Sequence, residues 1–191
     1  MNKILITGAS GMLGATLVDE WQDKYDVYAT DKETFEDNPA KNFLSFDLLN
    51  ESYDQMMDWA KPDVVIHCAA ITDVDYCEKN PKHAYAVNAE SVDKLLQSAP
   101  NTKLLFISSD AVFPDGLNLA SEKDQISPEN IYGMTKEYGE KYIKDAGPPH
   151  VSIRTTIVGK NINMGKIGFV EWLVNPVKDG LEVHLFRDEF F

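Results

Sequence analysis

The chain has 191 residues, 43% hydrophobic and 26% charged, enough for one domain with a substantial core and unlike a disordered composition. Its 18 Lys and Arg stand against 31 Asp and Glu, a formal charge of −13, which repels nucleic-acid backbones and anionic lipid and sets both aside as partners. No apolar stretch reaches the length of a membrane span, and the N-terminus lacks the basic-then-apolar build of a signal peptide, so the expected location is the cytoplasm.

Taken in chain order, strands are expected over 3–7, 25–30, 43–46, 63–69, 103–108, 150–154 and 182–186. Helices are expected over 12–23, 50–60, 81–98, 130–145 and 168–179, with Gly147-Pro148-Pro149 stopping the long one. This alternation predicts a Rossmann-type α/β fold, a doubly wound parallel sheet with helices on both faces. The longest irregular stretch, about 110–129, follows a strand end, where open α/β sheets bind ligands.

Thr7-Gly8-Ala9-Ser10-Gly11-Met12-Leu13-Gly14 joins the first strand to the first helix. Glycines at such a join allow a sharp turn, a close approach of backbone to phosphate, and tight packing of helix on strand. The pattern predicts a dinucleotide, with Gly8, Ser10, Gly11, Met12 and Leu13 as cofactor contacts. The second strand ends at Asp31, whose carboxylate can accept the adenosine ribose hydroxyls and would repel a 2′-phosphate. NAD is therefore favoured, and Lys32 beside it leaves NADP open. Asp47 and Leu48, after the third strand, are expected beside the adenine, although capping the next helix accounts for Asp47 almost equally well.

The fourth strand runs through Val64-Val65-Ile66-His67-Cys68-Ala69-Ala70, in which His67 reads as a core residue and Cys68 as a small hydrophobe. Cys68 and Cys77 form neither a disulfide framework nor a metal site. Tyr132 and Lys136 are four apart and share one face of a helix, with Ser108-Ser109 upstream at a strand end. A tyrosine, whose ordinary pKa is about 10, needs help to work near neutrality. A nearby ammonium stabilises its phenolate, and a serine hydroxyl can hold a carbonyl oxygen toward the phenol.

These motifs, with Ala84-Tyr85-Ala86-Val87-Asn88, Gly139-Glu140 and Arg154-Thr155 in order, resemble the extended branch of the short-chain dehydrogenase/reductase superfamily. The likeness is closest to the dTDP-4-dehydrorhamnose reductases and covers essentially the whole chain. It implies NAD(P)H-dependent reduction at C4 of a nucleotide-sugar, with Ser109, Tyr132 and Lys136 as the catalytic set. Tyr132 would protonate the C4 oxygen, while Lys136 would lower the tyrosine pKa and hold the nicotinamide ribose. Ala69 and Ala70 would let the cofactor lie close, and Thr72, Val74 and Ser109 match substrate-side positions.

Departures from the family pattern also carry expectations. Ala111 and Ile157 stand where an aromatic residue and a tryptophan are usual. Thr16 stands where some members carry a metal-binding glutamate at a dimer interface, so no metal is expected. The family continues beyond Phe191 into a smaller lobe over the nucleotide-sugar, which leaves 1–191 as one dinucleotide-binding domain without that C-terminal substrate lobe. An exposed sheet edge and Phe190-Phe191 would then seek a partner, a homodimer being one outcome. Two other readings stand beside the reductase: a nucleotide-sugar epimerase or dehydratase of the same branch, and a non-catalytic NADP-binding protein like the regulatory subunit of methionine adenosyltransferase.

Overall fold

Alternating apolar side chains commit the strands to two faces, and the fold follows from what covers each. The structure, a computed structural model, describes residues 2–117 and 119–183. Six strands, β1 (Lys3–Thr7), β2 (Asp26–Asp31), β3 (Asn42–Ser45), β4 (Val64–His67), β5 (Lys103–Ser109) and β6 (Val151–Thr155), form one sheet in the order β3-β2-β1-β4-β5-β6. Every neighbouring pair is parallel. This is the expected doubly wound arrangement, and its strand order reverses between β1 and β4, opening a crevice at their carboxyl ends.

On one face Leu5, Val65, Leu104 and Phe106 pack with Met56 and Tyr53 of α2 (Tyr53–Ala60), Val92 and Leu95 of α5 (Ser91–Ser98), and Ile143 of α6 (Ile131–Ala146). On the other, Ile4, Ile6, Val27, Ala29 and Ile66 pack with Val18 of α1 (Met12–Trp21). Neighbouring residues of one strand, Leu5 and Ile6, thus serve opposite cores, both wholly buried. Each such side chain is worth about 1.5–3 kcal/mol.

Three elements differ from expectation. A short helix, α3 (Val74–Lys79), lies where only loop was expected; Asp73 starts it by accepting the Tyr76 N–H at 2.9 Å. The helix expected over 81–98 is α4 (Pro81–Tyr85) followed by a π turn (Ala86–Glu90) and then α5. Of the strand expected at 182–186, Glu182 and Val183 lie in no strand and the rest falls outside the described residues, as do Phe190 and Phe191. The last helix among the described residues is α7 (Phe169–Lys178). Among the described residues no helix is long and apolar enough to cross a membrane. β6 forms one edge of this sheet, with Val151 and Ile153 exposed.

His67 occupies the core between the two halves of the sheet, 1% exposed. Ser91 Oγ donates to the Val87 carbonyl at 2.6 Å and so accepts from His67 Nε2 at 2.9 Å; His67 Nδ1 in turn accepts from Thr7 Oγ1 at 2.7 Å. Burial keeps the ring neutral, which leaves its single proton on Nε2 and makes Nδ1 the acceptor. Burial, aided by the Lys136 charge, pushes its pKa down to about 3. Because the unfolded chain takes up this proton at its ordinary pKa of about 6.5, His67 favours folding fully above that pH and progressively less as pH falls toward 3. Between pH 6.5 and 5, urea unfolding of the parent should lose about 2 kcal/mol more than that of His67→Gln. Equal losses would contradict this protonation state.

Candidate functional site

The glycine-rich loop needs glycine for two stated reasons. Gly8 has φ +69°, and a Cβ there would meet the Ala69 backbone nitrogen at 2.5 Å. A Cβ on Gly14 would collide with the Gly8 carbonyl oxygen, so the first turn of α1 folds directly onto the loop. The N-cap of α1, Gly11, offers no side-chain oxygen to the first-turn N–H groups, and that turn carries no acid. Unclaimed donors at the positive end of a helix dipole suit a phosphate. Gly8→Ala should combine left-handed strain with the Ala69 clash, lowering stability by about 2 kcal/mol. A variant that keeps the parent's melting temperature would contradict this.

Two cavities flank the loop. The first, about 260 Å³, is lined by Asp31, Lys32, Asp47, Leu48 and Ala69 among others. The second, about 410 Å³, is lined by Met12, Leu13, Thr72, Ser109, Tyr132 and Lys136 among others. Gly8, Gly11, Cys68, Ala70 and Lys166 line both and form the waist between them. Of the residues expected to contact ligand, Ser10 and Val74 line neither cavity; Val74 begins α3 and is 42% exposed.

In the first cavity the acids have structural partners as well. Asp31 Oδ2 accepts the Ser10 N–H at 2.8 Å and Oδ1 the Lys32 N–H at 2.7 Å, so the end of β2 braces the glycine loop. Asp47 accepts from Leu49 N and from Asn50 Nδ2, each at 2.9 Å, with Lys32 Nζ at 3.5 Å. These hydrogen bonds, the Leu49 amide foremost, hold its carboxyl below the usual range. It caps its own turn, whereas the N-cap of α2 is Ser52.

In the second cavity α6 is brought against the end of β5. Asn130 Oδ1 accepts the Gly133 N–H and Glu78 accepts the Ile131 N–H, each at 2.7 Å, which fixes where the helix starts. Gly133 lies against the Ala111 carbonyl oxygen, leaving no room for a side chain. Tyr132 thereby faces Ser109, whose hydroxyl lowers the phenol pKa, but burial dominates and pushes it above its ordinary value. The Lys136 ammonium is 5.9 Å from the Tyr132 ring centroid and 4.9 Å from that of Phe106, and it donates to the Ile107 carbonyl at 3.0 Å. Burial pulls its pKa down to about 8. Ser109 Oγ donates to Asp110 Oδ1 at 3.0 Å, and Asp110 also accepts from Thr156 Oγ1 at 2.5 Å.

Sequence reasoning missed Asp110, although its place beside Ser109 was a signal. It also missed what Asn88 does. Wholly buried in the π turn, Asn88 accepts the Ile71 N–H at 2.7 Å and donates to the Ile71 carbonyl at 2.9 Å and to Thr135 Oγ1 at 3.0 Å. It ties the loop after β4 to α6 one residue before Lys136. Thr16 Oγ1 donates to the Met12 carbonyl of its own helix at 2.8 Å.

A profile described as "RmlD substrate binding domain" matches residues 1–190. The chain belongs to this family. It is 32% identical to the probable low-salt glycan biosynthesis reductase Agl14 of Haloferax volcanii, across 96% of the chain and 63% of the relative. It is 30% identical to methionine adenosyltransferase 2 subunit beta of Danio rerio, across 94% of the chain and 55% of the relative. Among solved structures, a dTDP-4-dehydrorhamnose reductase from Clostridium acetobutylicum superposes with a TM-score of 0.76 at 32% identity, over 93% of this chain and 60% of that one. The Bacillus anthracis dTDP-4-dehydrorhamnose reductase in complex with NADP gives 0.68 at 32% identity, over 81% of this chain and 53% of that one. This member of the RmlD family thus spans less than two thirds of the length of each of these relatives.

Proposed function

We propose that this chain binds NAD(P)H across the two cavities and reduces a keto group of a nucleotide-sugar, most closely C4 of dTDP-4-dehydrorhamnose. The observation that carries the reading is the convergence of Ser109, Tyr132 and Lys136 on one cavity that meets the glycine loop at its waist. The bound cofactor would supply hydride to the carbonyl carbon. Gly8, Gly11, Met12 and Leu13 would hold its phosphates, with Ser10 bracing the loop through Asp31, and Asp31, Lys32, Asp47, Leu48, Ala69 and Ala70 would line its adenosine half. Thr72 and Ser109, which line the second cavity, are assigned to the substrate side, whereas Val74 lies outside it. Ser109 turns its hydroxyl from Asp110 to the carbonyl oxygen, and Tyr132 delivers the proton. A phenol held protonated by burial suits that direction. The Lys136 ammonium keeps its charge at neutral pH and answers the phenolate that forms.

Asp31 and Lys32 together line the first cavity, which supports either NAD or NADP, and the NADP complex of the Bacillus anthracis relative keeps the latter in view. A second reading is a cofactor-binding subunit without reductase chemistry. It is favoured by Ala111 in place of an aromatic residue, by the engagement of Ser109 with Asp110, and by the likeness to methionine adenosyltransferase 2 subunit beta. Mixing the chain with NADH or NADPH and dTDP-4-dehydrorhamnose, while following nicotinamide absorbance, separates the two. Cofactor consumption supports the reductase; binding of cofactor without consumption supports the second reading.

A further inference from the structure

A dinucleotide brings two phosphate charges to the waist of a chain whose formal charge is −13, and the waist must offset them locally. Three lysines line the cavities among the described residues. Lys32 is drawn to Asp47 at 3.5 Å, and Lys136 is buried on the Ile107 carbonyl at 3.0 Å. Lys166 has no carboxylate partner among the described residues and is the lysine that lines both cavities.

The segment after β6 is built to put it there. Asn163, 8% exposed, donates from Nδ2 to the Ser10 carbonyl of the glycine loop at 3.2 Å. Its Oδ1 accepts the Gly165 N–H at 3.0 Å, and its carbonyl accepts the Lys166 N–H at 3.0 Å, closing a turn with Lys166 at its end. Glu171 secures both flanks, accepting from Asn161 N at 2.7 Å, Asn161 Nδ2 at 3.0 Å and Gly168 N at 3.0 Å. A Cβ on Gly168 would meet Met12 Cε at 2.7 Å, so the segment packs directly on the start of α1.

We propose that Lys166 is the cation that binds the cofactor pyrophosphate, and that Asn163 holds the turn presenting it to the glycine loop. The inference rests on the dinucleotide reading given above and adds a binding residue from a segment that follows β6. Its test is a fluorescence titration of NADH and NADPH into the full chain, for the parent, Lys166→Ala, Lys166→Arg and Lys160→Ala. Lys160 is an exposed lysine of the same segment that lines neither cavity.

Lys166→Ala should weaken binding about 10-fold or more, with a flatter salt dependence, and Lys166→Arg should stay within about threefold of the parent. ADP-ribose, which retains the pyrophosphate, should show the same loss. Affinity of Lys166→Ala within about twofold of the parent, or an equal loss in Lys160→Ala, would overturn the assignment. A parent that binds neither cofactor would instead overturn the dinucleotide reading and this inference with it.

Discussion

Tyr132→Phe is expected to lower turnover about 10²–10⁴-fold while leaving the affinity for NAD(P)H nearly unchanged. The phenyl ring fills the same space beside Ser109, so the cavity keeps its shape and loses only the proton. Burial raises the phenol pKa above its ordinary value, so the parent holds that proton throughout the neutral range. The rate should therefore show no loss of the acid form until the alkaline side. Lys136, with a pKa of about 8, loses charge earlier and sets the first alkaline decline. Steady-state kinetics across pH checks both statements, and turnover by Tyr132→Phe within about threefold of the parent would assign the proton to another donor.

The largest stability effect is expected at Glu140. Glu140 is 8% exposed, and its carboxylate accepts from Ser108 Oγ at 2.6 Å, Arg154 Nε at 2.9 Å and Arg154 Nη2 at 2.7 Å. It therefore fastens α6 to both β5 and β6, four residues beyond Lys136 on the same helical face. Glu140→Ala leaves Ser108 and a guanidinium whose Nη1 is already buried without a partner. Breaking a buried pair in this way costs about 3–5 kcal/mol. The lower end is expected, because the Arg154 side chain is 23% exposed and its guanidinium stacks 4.9 Å from the Phe113 ring centroid. Glu140→Gln keeps an acceptor for Ser108 and should lose less. Urea unfolding of the three proteins measures this, and a loss under about 1 kcal/mol for Glu140→Ala would contradict the role.

The strands and the glycine loop were legible because their signals are local. Short continuous apolar runs marked β1, β4 and β5, and the sheet those runs predict is the sheet observed. Val74–Lys79 escaped because a helix of 6 residues carries little periodicity, and its one signal was the cap at Asp73. The π turn escaped because it is set by where Asn88 finds partners, 17 residues away at Ile71 and 47 residues away at Thr135.

The candidate site divides along the same line. Residue types at the carboxyl ends of β1, β2, β4 and β5 could be read as a cofactor cleft, since the fold itself puts those ends together. What each side chain bonds to could not. Asp31 was expected at a ribose and also braces Ser10; Lys136 was expected to act on Tyr132 and rests on Ile107. Lys166 sits in an irregular stretch whose bearing on the glycine loop depends on one side chain, Asn163, across 153 residues of chain.

The most direct test of hydride chemistry in this cleft is isotopic. The chain is incubated with NADH or NADPH carrying deuterium at nicotinamide C4, in separate samples for each face, together with dTDP-4-dehydrorhamnose, and the sugar is analysed by mass and NMR spectroscopy. One deuterium at C4 of the product, transferred from one face only and greatly diminished with Tyr132→Phe, is the predicted result. A chain that binds the cofactor yet transfers no label to the sugar would contradict the account.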